Sequence, residues 1–359
     1  MGRVQRRLYP VKVLSFIASV MFTIIVVVIK DELYLHSADD DSETATDAIV
    51  LTSLTESDSE SLSKPKGEIC KQRYNWISSR KAPLISRSKA IVFDLRDLRL
   101  SAIFLPKKEG QKFVFYSRES SPQHFAPLLG MDSFFDLSMT YLPSSAVLCP
   151  YGVFLNKSAN ATGDTEDEMR SLARRKRLVL WVASKCATHS GREWYVLELK
   201  RHLKVDVYGT CGGDPLPRGS ISHVAIKYKF RIVFENTVCR HYITERFYEA
   251  LLDRTVPIVL QRSTYASAPQ DSFIAADDFS SARDLAEYLK FLHANENEYL
   301  KYFRWTKTTD VRLMPSCTCQ LASTLLSGKL REDKSNQRIL YCWWQGSNEC
   351  KFNFARRYL

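Results

Sequence analysis

The sequence predicts an α/β protein with a parallel sheet covered by helices, and two stretches of the same design predict it. In the first, Leu178 to Ala183 is a short apolar run and Ser184 to Gly191 is polar. Arg192 to about Leu203 then has helical spacing, and Val205-Asp206-Val207-Tyr208 is a second strand closed by Gly209. In the other stretch, Ile232-Val233-Phe234 is a continuous apolar run, the pattern of a strand covered on both faces, and Glu235-Asn236 breaks it. Ile243, Phe247, Ala250 and Leu251 follow at helical spacing, and Thr255 to Leu260 is again a strand. Parallel strands joined through a helix are the natural product of such β-loop-α-β units. A third observation narrows the class: there is no repeat at solenoid periods and no glycine-rich dinucleotide fingerprint. A phosphate held by this chain has to be held by side chains.

Upstream, Ala90 to Phe93 and Lys112 to Tyr116 read as strands, with Ala146-Val147-Leu148 a candidate third. The basic run Arg174-Arg175-Lys176-Arg177 separates an N-terminal α/β domain, residues 71–175, from a C-terminal one, residues 176–320. Residues 321–359 are expected to form a cysteine-containing tail. Open α/β sheets bind ligands beyond the carboxyl ends of their strands, and helix N-termini attract phosphate oxygens. The polar breaks after Ala183 and Phe234 are therefore where an anionic nucleotide is expected, with Arg192 and Arg246 opening two different helices beside them.

The N-terminus has another character. Arg3, Arg6, Arg7 and Lys12 precede an uncharged apolar run from Val13 to Ile29. That length is at the short end of the roughly 17 to 25 residues that span a bilayer. The expectation is a cytoplasmic tail over 1–12 and an uncleaved signal anchor over 13–29, with a cleaved signal peptide as the alternative. A short span suits the thinner membranes of the early secretory route. From Asp31 to Ser63 there are ten acidic residues and no Lys or Arg, so residues 30–70 read as a disordered luminal stem. From Lys64 onward 46 Lys/Arg face 30 Asp/Glu. Such a balance favours an anionic ligand, and a luminal address makes nucleic acid an unsuitable one.

All nine cysteines follow the anchor, and in an oxidising lumen most of them pair while the odd count leaves one over. Cys317-x-Cys319 with Cys342 and Cys350 could suggest zinc, but its spacing is tighter than structural zinc sites use, and a disulfide-tied C-terminus is preferred. Asn156-Lys-Ser and Asn160-Ala-Thr are glycosylation sequons in a polar stretch that reads as a loop.

Five blocks carry a resemblance. "FENTVCRHYITERFYEALLDRTVPIVL" resembles the signature of the α1,3-fucosyltransferase family, in which F-E-N leads through a short loop to Y-I/V-T-E-K and a helix. "LVLWVASKCATHSGREWYVLELKRHLKVDVYGTCG", "APQDSFIAADDFSSARDLAEYLKFL", "KFVFYSRESSP" and "SMTYLPSSAVLCPYG" are similar to further family blocks in the family's order, over about residues 89 to 320. The resemblance implies two facing Rossmann-like domains of the GT-B type. It implies GDP-fucose in the C-terminal half, a GlcNAc-bearing glycan acceptor on the N-terminal side, and inverting transfer in the Golgi lumen. Carried over, Arg192 and Arg246 neutralise the diphosphate, Asn236 and Tyr242 line the donor site, Glu245 holds the ribose, and Glu119 is the general base. Asp132 and Asp136 are other carboxylates near the same loops. Asp-x-Asp spacing occurs only at Asp39-Asp40-Asp41 in the stem, so no cofactor or metal is required, a divalent ion being at most stimulatory. Departures from the family pattern are Arg246 for Lys, Asp253-Arg254 for Ala-Gly, Ala266 for Glu and Leu142-Pro143 for an Arg pair. They motivate the alternative of an inactive glycan-binding or scaffolding relative.

Overall fold

The computed structural model describes residues 49–53, 74–78, 88–96, 98, 105–123, 128, 131, 133–158, 163–213, 215, 221–328 and 340–359. Its apolar runs build two sheets in which every strand pair is parallel. The first contains β1 (Ile49–Ser53), β2 (Tyr74–Ser78), β3 (Ala90–Asp94), β4 (Lys112–Ser117), β5 (Leu137–Thr140) and β6 (Val147–Leu148), in the order β2-β1-β3-β4-β5-β6. β7 (Gly152–Asn156) lies outside it and pairs antiparallel with a late strand, Thr309–Leu313. The second sheet contains β8 (Arg177–Val182), β9 (Val205–Tyr208), β10 (Tyr228–Ile232), β11 (Val256–Val259) and β12 (Ile274–Ala275), in the order β12-β11-β10-β8-β9. In each sheet the second strand lies on one side of the first and the third on the other, so each has a switch point where the connections diverge. In the second sheet the switch point lies between β8 and β10.

Successive residues of β3 and β4 face opposite sides, and both sides are covered. Ile91, Phe93, Phe113 and Phe115 pack with Leu340, Trp343 and Trp344. Ala90, Val92, Val114 and Tyr116 pack with Cys317, Leu321 and Ala322. The covering residues lie on or beside the helices Thr318–Ser327 and Leu340–Asn348. The segment expected as a tail is thus, in these helices, part of the core of the first sheet.

Other expectations shift as well. Ile49–Ser53 falls within the stretch read as a disordered stem, yet it pairs with both β2 and β3. Its five apolar and hydroxyl residues were hidden by the acidic composition around them. β5 escaped notice because Ser138 and Thr140 interrupt its apolar pattern; both are buried, with Ser138 Oγ accepting from Ala146 N at 3.1 Å and Thr140 Oγ1 2.5 Å from Ser145 Oγ. Asn156 is the exposed last residue of β7 and not a loop residue, and Asn160 lies outside the described residues. The apolar run 13–29 is also outside them; among the described residues no helix is long and apolar enough to cross a membrane.

Cys149–Cys317, Cys186–Cys211 and Cys239–Cys350 are disulfides, and Cys319 is disulfide-bonded too. Cys317 and Cys319 are thereby engaged as covalent ties, which corrects the zinc alternative and agrees with a C-terminus tied by disulfides.

Candidate active site

The loops leaving the carboxyl ends of β8 and β10 meet at the switch point. Ser190 donates from N to Asn236 O at 2.9 Å and from Oγ to Glu235 O at 2.8 Å, which joins the two polar breaks seen in the sequence. Gly191, at φ 70°, turns the first loop into the helix Arg192–Leu199, a left-handed backbone that costs glycine least. Gly209 closes β9 at φ 92°, where a Cβ would sit 2.7 Å from Ala183 O, so the loop backbone can approach the end of β8.

Arg192 is 3% exposed. Its Nη1 donates to Phe234 O at 2.6 Å and Nη2 to Lys185 O at 3.1 Å, while its buried Nε has no hydrogen-bond partner. Burial, and then the like charge of Arg246, bring this guanidinium down to about 10. As placed, Arg192 ties the ends of both loops to one another.

The second loop runs into the helix Glu245–Leu252. Its entry is taken by Glu235, whose carboxylate accepts from Thr244 N at 2.8 Å and from Thr244 Oγ1 at 2.9 and 3.0 Å. An acidic group at a helix entrance is stabilised by the free N–H groups and the dipole there. Arg246 lies 3.5 Å from Glu235, with 36% of its side chain exposed against 4% for Glu235. Burial pushes the Glu235 carboxyl up to about 7, although Arg246 and the Thr244 N–H pull it down. Burial also opposes the charge of Arg246, but Glu235 and Glu245 outweigh it and leave the guanidinium above its ordinary value. Glu245 begins the helix and is half-buried.

The first sheet contributes from the other side. After β4 the chain presents Glu119 and Ser120 to the second loop, while Arg118 donates to the carbonyls of Pro150, Met314 and Pro315. Tyr242 Oη donates to Glu119 Oε2 at 2.9 Å, and Ser120 Oγ lies 2.5 Å from Thr237 Oγ1. Tyr242 is 1% exposed and packs its ring against Tyr141 with centroids 5.2 Å apart; burial first, then Tyr151 and Glu119, hold its phenol well above its ordinary value. The backbone at Asn236 accepts from Ser190, and its Oδ1 accepts from Thr237 Oγ1 at 3.1 Å. Of the other N-terminal carboxylates, Asp136 accepts from Phe113 N and from Lys107 Nζ, both at 2.6 Å, and holds the start of β4. Asp132 lies outside the described residues.

The sequence-selected residues Glu119, Arg192, Asn236, Tyr242, Glu245 and Arg246 thus gather on three adjoining loops and the starts of two helices. Two contributors were missed. Glu235 was visible only as the polar break after a strand, and its burial depends on how the loop folds over it. The C-terminal segment is the other: Lys351 N donates to Val238 O at 2.8 Å, Asn353 N to His189 O at 2.7 Å and Ala355 N to Ser190 O at 3.0 Å. With the Cys239–Cys350 disulfide, these bonds strap both loops. Only the cysteine gave a signal in the sequence.

The comparisons with known proteins agree with the two-sheet division. Residues 172–342 match the model described as glycosyltransferase family 10 (fucosyltransferase) C-term, and residues 43–152 match fucosyltransferase, N-terminal. The 4-galactosyl-N-acetylglucosaminide 3-alpha-L-fucosyltransferase FUT6 of Homo sapiens is 37% identical over 244 residues, 67% of this chain and 66% of its own length. The 3-galactosyl-N-acetylglucosaminide 4-alpha-L-fucosyltransferase FUT3 of Homo sapiens is 38% identical over 209 residues, 56% of each chain. The match to FUT6 thus spans just under two thirds of that relative. A crystal structure of alpha1,3-fucosyltransferase with GDP superposes with a TM-score of 0.52 at 15% identity, covering 85% of this chain and 95% of that one, a likeness of fold. Since consecutive models of one family match the two halves in the order of the two sheets, the chain belongs to glycosyltransferase family 10, the fucosyltransferases.

Proposed function

We propose that this chain transfers L-fucose from GDP-fucose, with inversion, to the 3-hydroxyl of a GlcNAc residue in a glycan. The observation that carries this reading is the placement of Glu119, from the first sheet, against the loop that leads to Arg246 at the switch point of the second. A sugar hydroxyl becomes a competent nucleophile when a carboxylate accepts its proton as it attacks. In the proposed step Glu119 takes that proton, the acceptor oxygen bonds to the anomeric carbon of fucose, and the bond from that carbon to the β-phosphate oxygen breaks. The departing GDP gains charge, which Arg246 and Arg192 offset. Glu245 bonds the ribose hydroxyls, and Asn236 and Tyr242 shape the sugar side, with Tyr242 also orienting Glu119. Acceptor choice rests on the relatives: those that match are named for 3-fucosylation of 4-galactosyl-GlcNAc and for 4-fucosylation of 3-galactosyl-GlcNAc.

The setting proposed is a single-pass Golgi anchor with a luminal catalytic part, which several disulfides and an exposed Asn156 sequon suit. One observation favours the second reading, a glycan-binding relative with little turnover: the Arg192 guanidinium is committed to two backbone carbonyls.

The deciding experiment uses the full-length chain with GDP-fucose, a panel of galactosyl-GlcNAc acceptors and mass-spectrometric linkage analysis. Wild type should fucosylate, and Glu119→Gln should lose turnover by roughly 10² to 10⁴ while GDP affinity holds. GDP binding without turnover in wild type would establish the second reading instead.

A further inference from the structure

Of the three carboxylates at the site, Glu119 and Glu245 are half-buried and have assigned roles, whereas Glu235 is buried and has none. The charged and titratable groups facing it are Glu245, Arg246 and Tyr248 from the helix Glu245–Leu252, Arg192 from the helix Arg192–Leu199, Tyr242 from the loop and Tyr265 from beyond β11. Its contacts fall into two kinds. Thr244 supplies an N–H and a hydroxyl from a buried position, and these stay whatever binds outside. Arg246 is partly exposed and holds it only at 3.5 Å, so this partner can turn away.

Resting on the donor reading above, we propose that Glu235 is the resident counter-ion of the nucleotide site. It positions Arg246 and the start of its helix until a diphosphate takes Arg246 over, and it accepts a proton as the guanidinium leaves.

The physical reason is the cost of an unpaired buried charge. A carboxylate out of water keeps its charge only while a cation or donors compensate it. Here burial already brings the group to about 7 with Arg246 beside it. Withdrawing Arg246 and placing an anionic diphosphate nearby both disfavour the charged form, so the carboxyl moves further up. Linkage then fixes the sign: a ligand that raises the pKa of a group binds more tightly as the pH falls, and binding takes up protons. Thr244 continues to donate to the neutral acid, which keeps the helix entrance in place through the exchange.

The test is titration calorimetry of the full-length chain with GDP-fucose, repeated in buffers of different ionisation enthalpy across the neutral range. GDP-fucose is the probe because its diphosphate is esterified at both ends and has no proton of its own to exchange there. The wild-type chain should take up a fraction of a proton per nucleotide, with affinity rising as the pH falls through neutrality by at most about tenfold per unit. Glu235→Gln should remove the uptake and flatten the profile, whereas Glu119→Gln should keep both. If Glu235→Gln does not fold, the wild-type infrared difference spectrum decides: a protonated-carboxyl band should grow on nucleotide binding and fail to grow in Arg246→Met. Uptake that persists in Glu235→Gln, or a pH-independent affinity without uptake, overturns the proposal and leaves the donor reading standing. No binding of GDP-fucose at any pH overturns both.

Discussion

At the scale of single residues, the family departure Asp253-Arg254 has a structural account. Arg254 follows the helix Glu245–Leu252 at φ 51°, a left-handed conformation that an L side chain adopts at a cost of about 1–3 kcal/mol. Its side chain compensates. Nε and Nη2 donate to the two oxygens of Asp164 at 2.9 Å each, Nη1 donates to Leu251 O at 3.1 Å, and the guanidinium lies 5.5 Å from the Trp305 ring centroid. Asp253 in turn is held by Arg231 at 3.2 Å. Arg254→Ala keeps the strained backbone and loses the fork, so thermal denaturation should show it less stable by about 1–2 kcal/mol. Arg254→Gly loses the same contacts but relaxes the backbone and should recover about 1 kcal/mol of that. If Gly were the worse of the two, backbone strain would not be part of the account. The sequence shows an Arg where a Gly is usual. That the replacement is anchored by Asp164, 90 residues away, depends on the fold.

At the scale of elements, β8 and β11 were legible because they are buried on both faces and read as continuous apolar runs, displaced by one residue at their ends. β10, by contrast, lies over Tyr228–Ile232, where Lys229 and Arg231 interrupt the apolar pattern, and shares only Ile232 with the run Ile232-Val233-Phe234. Of the residues gathered at the switch point, Arg192 and Arg246 were legible as charges opening two helices beyond buried strands, whereas Glu119, Asn236, Tyr242 and Glu245 took their roles from the family resemblance. What composition concealed was β1. Its charge-rich surroundings give a stem signature over more than thirty residues, and a five-residue strand is too short to change it. Since β1 lies between β2 and β3, it is an interior strand, and its loss would leave the backbone groups of β3 along that edge without partners. A secreted fragment of residues 43–359 should therefore fold and show a cooperative thermal transition. A fragment of 64–359, cut where the acidic composition ends, should be recovered poorly or melt earlier. Equal melting temperatures would mean that β1 contributes nothing to the first sheet.

At the scale of the whole molecule, the two halves are coupled by the chain's last segment as well as by the loops at the site. The helix Thr318–Ser327 covers one face of the first sheet, and the helix Leu340–Asn348 covers the other. Residues 350–355 then cross to the second sheet's loops, where the disulfide to Cys239 and three backbone bonds hold them. The Cys149–Cys317 disulfide has a different place: it joins the end of β6 to the start of the first covering helix, and no donor-loop residue is part of it. Both ties span long stretches of chain, 111 and 168 residues, so breaking either should cost about 2–5 kcal/mol of stability. Their consequences for the site should differ. Removing residues 351–359 takes away the donors to Val238, His189 and Ser190, and frees the two loops whose carbonyls fix Arg192 and whose turn carries Glu235 to Arg246. In that deletion GDP affinity should fall by about tenfold, the worth of one well-made polar contact at a ligand, alongside a lower melting temperature. The paired Cys149→Ser and Cys317→Ser change should lower the melting temperature while GDP affinity, measured well below both transitions, stays as in wild type. Equal GDP affinities in the deletion and the wild type would mean that the strap stabilises the fold without ordering the nucleotide loops.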